Sequence, residues 1–288
     1  MKTITSIHRS TDAHWVGDGF PVRTVFNYQN ASLSPFLLLD YAGPADFDPS
    51  EEAHGVDWHP HRGFETVTIA YQGEVEHEDS AGNRGRIGPG DVQWMTAGAG
   101  VLHKEMHGRE FARRGGKFEM VQLWVNLPAK FKMTEPRYQT LLARDIPEVS
   151  VAGGGRLRVI AGEFDGTKGP ARTFTPVNLW DLRLGAGRRA ELRVPEGYTT
   201  ALFVLKGKAL INASESAGEA ELVLFERAGD AIAVEAEADA TVLLLNGQAI
   251  DEPVIGHGPF VMNTQQEIRQ AIVDYQNGTL GRIPSLAQ

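Results

Sequence analysis

Trp58-His59-Pro60-His61-Arg62-Gly63-Phe64-Glu65-Thr66-Val67-Thr68, followed by Gly90-Asp91-Val92 and then by His103-Lys104-Glu105-Met106, is the stretch from which the fold of this chain is read. Successive strand side chains point to opposite faces, so residues two apart point the same way. His59 and His61 make one such pair near the start of a strand, and His103 and Glu105 make another near the end of a later one. Each pair aims both members at one point, which gives four candidate metal ligands. Three imidazoles and one carboxylate form a borderline-hard donor set, suited to iron, manganese, nickel or copper more than to calcium or structural zinc. A single His-x-His pair is weak evidence, because such pairs also end as surface or core histidines. The second pair follows at the distance a later strand of the same barrel needs to return beside the first, with Gly90-Asp91 turning into it.

Around this stretch the chain reads as all-β. Glu65 to Tyr71, Gly73 to Glu78, Val92 to Met95, Glu119 to Val125 and Leu202 to Leu205 are short, rich in β-branched and aromatic residues, and separated by Gly, Pro, Asn and Asp. Asp79-Ser80-Ala81-Gly82-Asn83 predicts a hairpin loop, and Gly88-Pro89-Gly90-Asp91 the next turn. One helix is expected near the end: Thr264 and Glu267 form a capping box, Ile268, Ile272 and Tyr275 an apolar stripe, and Gly278 a stop.

Pro136, Pro147 and the run Gly153-Gly154-Gly155 interrupt the strand pattern. The division expected is therefore an N-terminal metal-binding domain at 1–135, a linker at 136–150 and a C-terminal domain at 151–288. The halves look duplicated: Thr66 to Gly73 can be laid on Thr200 to Gly207, and Gly90-Asp91-Val92 on Gly229-Asp230-Ala231. On that alignment Arg193, Pro195 and Val242 stand where the first half has His59, His61 and His103. The second half, whose one histidine is His257, is then a copy without metal.

Composition narrows the field. With 288 residues and 42% hydrophobic content the chain can build one large core or two medium ones. A net charge of -9 argues against broad contact with nucleic acid or an anionic membrane, and the cluster Arg109, Arg113, Arg114 and Lys117 reads as a solvated loop. No cysteine means no disulfide framework, no thiolate ligand and no cysteine nucleophile. The first twenty residues hold no signal-peptide apolar region, and apolar runs such as Val242-Leu243-Leu244-Leu245 are too short to span a bilayer. A soluble, cytoplasmic, monomeric protein is expected.

The two segments have the look of the two-part cupin signature, in which His-x-His and a Glu come from one segment and another His from a Gly-bounded second. More narrowly, the stretch His59 to Thr68, then Gly90 to Gly98, then His103 to Met106 resembles the pirin family, and the likeness extends to Pro35 to Asp40 and to Gly256-His257-Gly258-Pro259-Phe260. The resemblance implies a bicupin, two tandem cupin β-barrels with a short C-terminal helix and a metal in the N-terminal barrel alone. It implies His59, His61, His103 and Glu105 as ligands, usually around iron(II), with manganese, nickel, cobalt, copper or zinc as other divalent occupants. Glu65 is the rival carboxylate, since in other cupins the glutamate after His-x-His is the ligand and its parity matches if the strand is unbroken; the pirin likeness favours Glu105. His107 has the right parity but would crowd the site. His54 and His77 are expected at the surface, and Phe64, Trp94 and Met95 in the core.

Two activities follow from the resemblance. Some pirins cleave flavonols such as quercetin by dioxygenation, so a small aromatic chelating substrate is one expectation, with Glu105 as the catalytic base. Pirins are also known as redox-sensing regulatory binding proteins without turnover, acting on a metabolic enzyme or a transcription factor. Both need the same ligands.

Overall fold

Runs such as Phe64-Glu65-Thr66-Val67-Thr68-Ile69-Ala70-Tyr71 and Thr199-Thr200-Ala201-Leu202-Phe203-Val204-Leu205 suit a pleated surface and are buried almost throughout. In the computed structural model, which describes residues 1–9, 13–29, 33–281 and 283, they form the central strands of two sheets, Phe64–Gln72 in one and Thr199–Lys206 in the other. The expectation of an all-β chain with a short C-terminal helix holds. Contacts divide the chain into two units, Asp12–Ala31, Phe36–Ala143 and Ile250–Gln288 in one, Met1–Thr11, Ser32–Pro35 and Arg144–Ala249 in the other.

Each unit is a sandwich of a seven-stranded and a four-stranded antiparallel sheet, left open at the edges where a closed barrel would have none. In the histidine-bearing unit the large sheet runs Arg137–Leu141, Val92–Thr96, Phe64–Gln72, Gly116–Asn126, Phe36–Phe47, Phe20–Phe26, Ala13–Val16. Its small sheet runs Gly55–His61, Val101–His107, Val75–Asp79, Arg84–Ile87. The other unit repeats the plan, with Ile4–Arg9, Glu221–Phe225, Thr199–Lys206, Ala240–Gly247, Val177–Leu184, Gly155–Ala161, Glu148–Val151 in the large sheet. Arg189–Arg193, Ala231–Ala236, Lys208–Ile211 and Glu215–Gly218 form its small one.

This topology corrects the sequence reading in two places. Residues 136–150 are no plain linker, because Arg137–Leu141 is the edge strand on Val92–Thr96, while Ile4–Arg9 supplies the matching edge of the other unit by pairing with Glu221–Phe225. The segment from Ile250 onward belongs with the histidine-bearing unit. Of the two repeat landmarks, Thr66 to Gly73 on Thr200 to Gly207 agrees with the sheet order. The other was laid one strand late: Gly229-Asp230 leads into Ala231–Ala236, which occupies the place of Val101–His107, not that of Val92–Thr96.

The C-terminal segment anchors the loop that follows His61. Thr264 caps the helix Gln265–Gln276 by accepting from Glu267 N, and Ile268 and Ala271 are buried while Tyr275 is largely exposed. A second, short helix, Arg109–Arg114, replaces the loop expected at the basic cluster. Arg62 pairs in parallel with Phe260, donates through Nη1 to Asp274 at 2.7 Å and through Nε to Ala99 O at 2.6 Å. Gly63 has φ +91°, and a Cβ there would lie 2.0 Å from Val261 O, so the close approach of the tail requires glycine. Among the described residues no helix is long and apolar enough to cross a membrane.

Lys132, 1% exposed, ties this segment down with all three ammonium protons, donating to Gly63 O at 2.8 Å, Val261 O at 2.8 Å and Asn126 Oδ1 at 2.7 Å. Replacing it by methionine keeps the chain length and leaves three buried acceptors unpaired. Lys132→Met is expected to lower the unfolding free energy of its unit by about 3 kcal/mol, read as a lower urea midpoint at unchanged m-value; an unchanged midpoint contradicts the assignment.

Candidate metal centre

The antiparallel pairing of Gly55–His61 with Val101–His107 sets His59 directly opposite His103 and His61 opposite Val101. Alternation then turns His59, His61, His103 and Glu105 to the interior of the sandwich. The register shifts between His103 and Glu105, which lies opposite Val56, so the first strand carries an extra residue, a bulge at Asp57-Trp58. Ring centroids stand 4.2 Å apart for His59 and His103 and 4.9 Å for both His59 with His61 and His61 with His103. Each ring offers one nitrogen to a cluster whose atoms lie within 4.8 Å of one another.

Hydrogen bonds fix which nitrogens face inward. His59 donates from Nδ1 to Asp57 O at 2.8 Å, and His61 from Nδ1 to Pro259 O at 3.4 Å. Both therefore keep a bare Nε2. Buried Nε2 of His103 has no hydrogen-bond partner. Burial holds the pKa of His59 below the ordinary value and those of His61 and His103 well below it, with the neighbouring imidazoles adding to the effect at His61 and His103. Neutral imidazoles with converging lone pairs are what a divalent transition metal needs, so the residues fit such an ion.

Glu105 stands to one side of this triad. It shares a second cluster with His103 and with His77, a residue expected at the surface but here fully buried. Its Oε1 accepts from Gln93 Nε2 and from Thr68 Oγ1, the latter at 3.0 Å, and its Oε2 from Gln122 Nε2 at 2.8 Å. The rival Glu65 belongs to neither cluster. Gly63 breaks the strand, so the parity of His59 and His61 is not carried forward, and Glu65 pairs with Thr96 on the face opposite to Thr68 and Gln93. His107 is caged by Phe20, Phe47, Phe111 and Phe118 and donates from Nε2 to Gly19 O at 2.9 Å. His54 is half-buried and paired with Asp18. Phe64, Trp94 and Met95 are buried, and Phe64 stacks on Trp124 beside His61.

The pirin model matches residues 19–125, and a model described as the pirin C-terminal cupin domain matches 179–281. The chain belongs to the pirin family. A Pseudomonas aeruginosa protein provisionally named a quercetin 2,3-dioxygenase is 54% identical over 96% of this chain and 98% of its own length. Human pirin is 39% identical, over 90% of this chain and 87% of its own. A crystal structure of quercetin 2,3-dioxygenase from Acinetobacter baumannii superposes with a TM-score of 0.96 at 52% identity, covering 98% of this chain and 99% of that one. Both sandwiches of this pirin are thus cupin units. Where the N-terminal unit has its histidines, the C-terminal unit has Leu192, Ile232 and Val234 inside a continuous apolar core, and among the described residues both candidate clusters lie in the N-terminal unit.

Sequence reasoning missed Asp79 as well as His77, and it missed Thr68, Gln93 and Gln122. His77 and Asp79 form a third i, i+2 pair, in step with the buried Val75 on Val75–Asp79, and that parity was the available signal.

Burial pushes the Glu65 carboxyl up to about 7, the bond from Thr96 pulling the other way. Between the unfolded value near 4.5 and about 7 the native protein then holds a proton that the unfolded chain releases, so stability falls as pH rises through this window. Metal-free wild type is expected to lose roughly 2–3 kcal/mol more than Glu65→Gln between pH 5 and pH 8. Urea midpoints of the two proteins check it, and parallel pH profiles contradict it.

Proposed function

We propose that this pirin is a flavonol dioxygenase of the quercetin 2,3-dioxygenase type, holding iron(II) through His59, His61, His103 and Glu105. The observation that carries the reading is the convergence of three neutral imidazoles, two of them buried and one half-buried, one of the buried pair with an unpartnered Nε2, beside a carboxylate. The names of the two relatives more than half identical to this chain support the substrate class. Bound there, the metal would polarise a flavonol hydroxyl and supply the electron exchange that reaction with dioxygen requires.

The chain's own residues do the rest. Gln93 and Thr68 occupy Oε1 of Glu105, and Gln122 alone occupies Oε2. The proton leaving the substrate hydroxyl is therefore taken at Oε2, the less committed oxygen. Trp124, half-buried and stacked on Phe64 at 4.3 Å, offers a flat wall beside His61 for an aromatic ring system.

The regulatory reading has one observation of its own. Arg84, Arg86 and Lys104 on the small sheet and Arg109 at the start of the short helix stand beside Glu76 and Glu78 around a recess, a surface suited to an acidic protein partner. Iron(II) and iron(III) forms that bind the same partners equally would remove the basis for a redox switch.

Anaerobic loading with iron(II), followed by quercetin and air, is expected to give oxygen uptake matched by loss of the flavonol absorbance; persistence of both overturns the dioxygenase reading. Metal content after loading separates the two carboxylates. Glu105→Ala is expected to lower occupancy and Glu65→Ala to leave it unchanged, whereas loss confined to Glu65→Ala reverses the ligand assignment.

A further inference from the structure

His77 and Asp79 belong to the interior face of the small sheet, where His77 lies opposite Glu105 and Asp79 opposite His103 across the strand pair. Neither has a part in binding substrate or metal as described so far, yet both are buried. Asp79 is pinned by donors. Its Oδ1 accepts from Ala81 N at 2.9 Å, from Asn83 N at 2.9 Å and from Asn83 Nδ2 at 3.1 Å, and its Oδ2 accepts from Asn83 Nδ2 at 2.9 Å. His77 Nε2 lies 3.2 Å from the same Oδ2.

A carboxylate only accepts, so the proton of this contact sits on His77 Nε2, and in the tautomer that carries this one ring proton Nδ1 is bare. That atom faces Nδ1 of His103 at 3.5 Å. One proton occupies the space between them, and with His77 as acceptor it belongs to His103. Nε2 of His103 is then bare, and it is the buried atom without a hydrogen-bond partner, on the ring that packs against His59 and His61. Tyr138, stacked on His77 at 4.5 Å and 19°, fixes the ring plane, while its hydroxyl donates to Gln93 Oε1 at 3.0 Å.

We propose that Asp79 and His77 are positioning residues for the metal centre: the Asp79–His77–His103 chain selects the His103 tautomer whose lone pair faces His59 and His61, and raises its strength as a ligand. The proposal rests on the metal centre assigned above and not on flavonol turnover. The outer partners of ligating histidines generally act this way. The chain also has a direction. Asn at position 79 can donate to His77 Nε2, which moves the His77 proton to Nδ1, turns His103 into the acceptor and places a proton on His103 Nε2, where it blocks the metal.

The test uses cobalt(II) with the metal-free full-length protein, reading affinity by competition with a chromophoric chelator, the cobalt visible spectrum, and the thermal midpoint of each apo protein. His77→Phe keeps the ring against Tyr138 but accepts nothing, whereas His77→Gln can accept from His103 and donate to Asp79. His77→Phe and Asp79→Asn are expected to bind cobalt about 10- to 100-fold more weakly with an altered spectrum, and His77→Gln to stay within about 3-fold of wild type with the wild-type spectrum. Each apo midpoint is expected to lie well above the temperature of the binding measurement, which excludes unfolding as the cause of weaker binding. All three variants binding like wild type overturns the proposal. So does His77→Gln failing as badly as His77→Phe, since His77 then acts as a ligand or as packing. Wild type that takes up no cobalt overturns the metal centre and this proposal together, whereas absence of flavonol turnover touches only the enzymatic reading.

Discussion

The register of one strand pair decides what the N-terminal unit can hold. Only with His59 opposite His103 do two imidazoles from separate segments stand face to face, and only by alternation does His61 join them. A slip of one residue would turn all of these side chains to the other face. The bulge between His103 and Glu105 belongs to the same device. It places the Asp57 carbonyl where His59 Nδ1 can donate to it, so the irregularity that spoils the ladder also fixes the outer nitrogen of a candidate ligand.

Local pairing alone leaves His61 unfixed, and its support comes from the far end of the chain. Pro259 supplies the acceptor for its Nδ1, Arg62 is held by Phe260 and Asp274, and Lys132 clamps Gly63 to Val261. These contacts link segments far apart in sequence, and each fixes backbone immediately beside the His-x-His pair. The C-terminal segment therefore acts on the N-terminal centre although it follows the whole C-terminal cupin core. It explains why a boundary drawn from composition near residue 136 divides the chain differently from its contacts.

What was legible in the sequence is what local physics determines. The hairpin at Asp79 to Asn83, the turn at Gly88 to Asp91 and the Thr264 cap are all set by residues close together, and each stands where it was read. Glu65 remained a rival to the favoured Glu105 on a parity count that holds only along an unbroken strand, and Gly63 at φ +91° ends one. His77 was assigned to the surface because it was read alone and not in step with Val75 and Asp79; the opposing Glu105 and the stacked Tyr138 that explain its burial come from other strands. The repeat slipped by one strand because Gly-Asp turns recur before several strands, and only hydrogen bonding shows which strand follows which.

The contrast between the two interiors carries the last step. Buried imidazole, carboxyl and amide groups cost free energy unless their donors and acceptors are matched, and the C-terminal unit shows that the corresponding positions of the same sandwich can be filled by the apolar Leu192, Ile232 and Val234. An N-terminal interior kept polar for packing alone would gain nothing over that solution. Its network is closely matched: Glu105 is met by Gln93, Thr68 and Gln122, Asp79 by its hairpin and His77, and His59 and His61 by backbone carbonyls. Among the described residues the imidazole nitrogen left buried and unpartnered is His103 Nε2, and it lies in the triad that shares its ring with His77 and Glu105. An unmatched lone pair at the junction of two otherwise satisfied clusters is the point at which a cation would complete the network, and the proposed Asp79–His77–His103 chain would keep that lone pair bare.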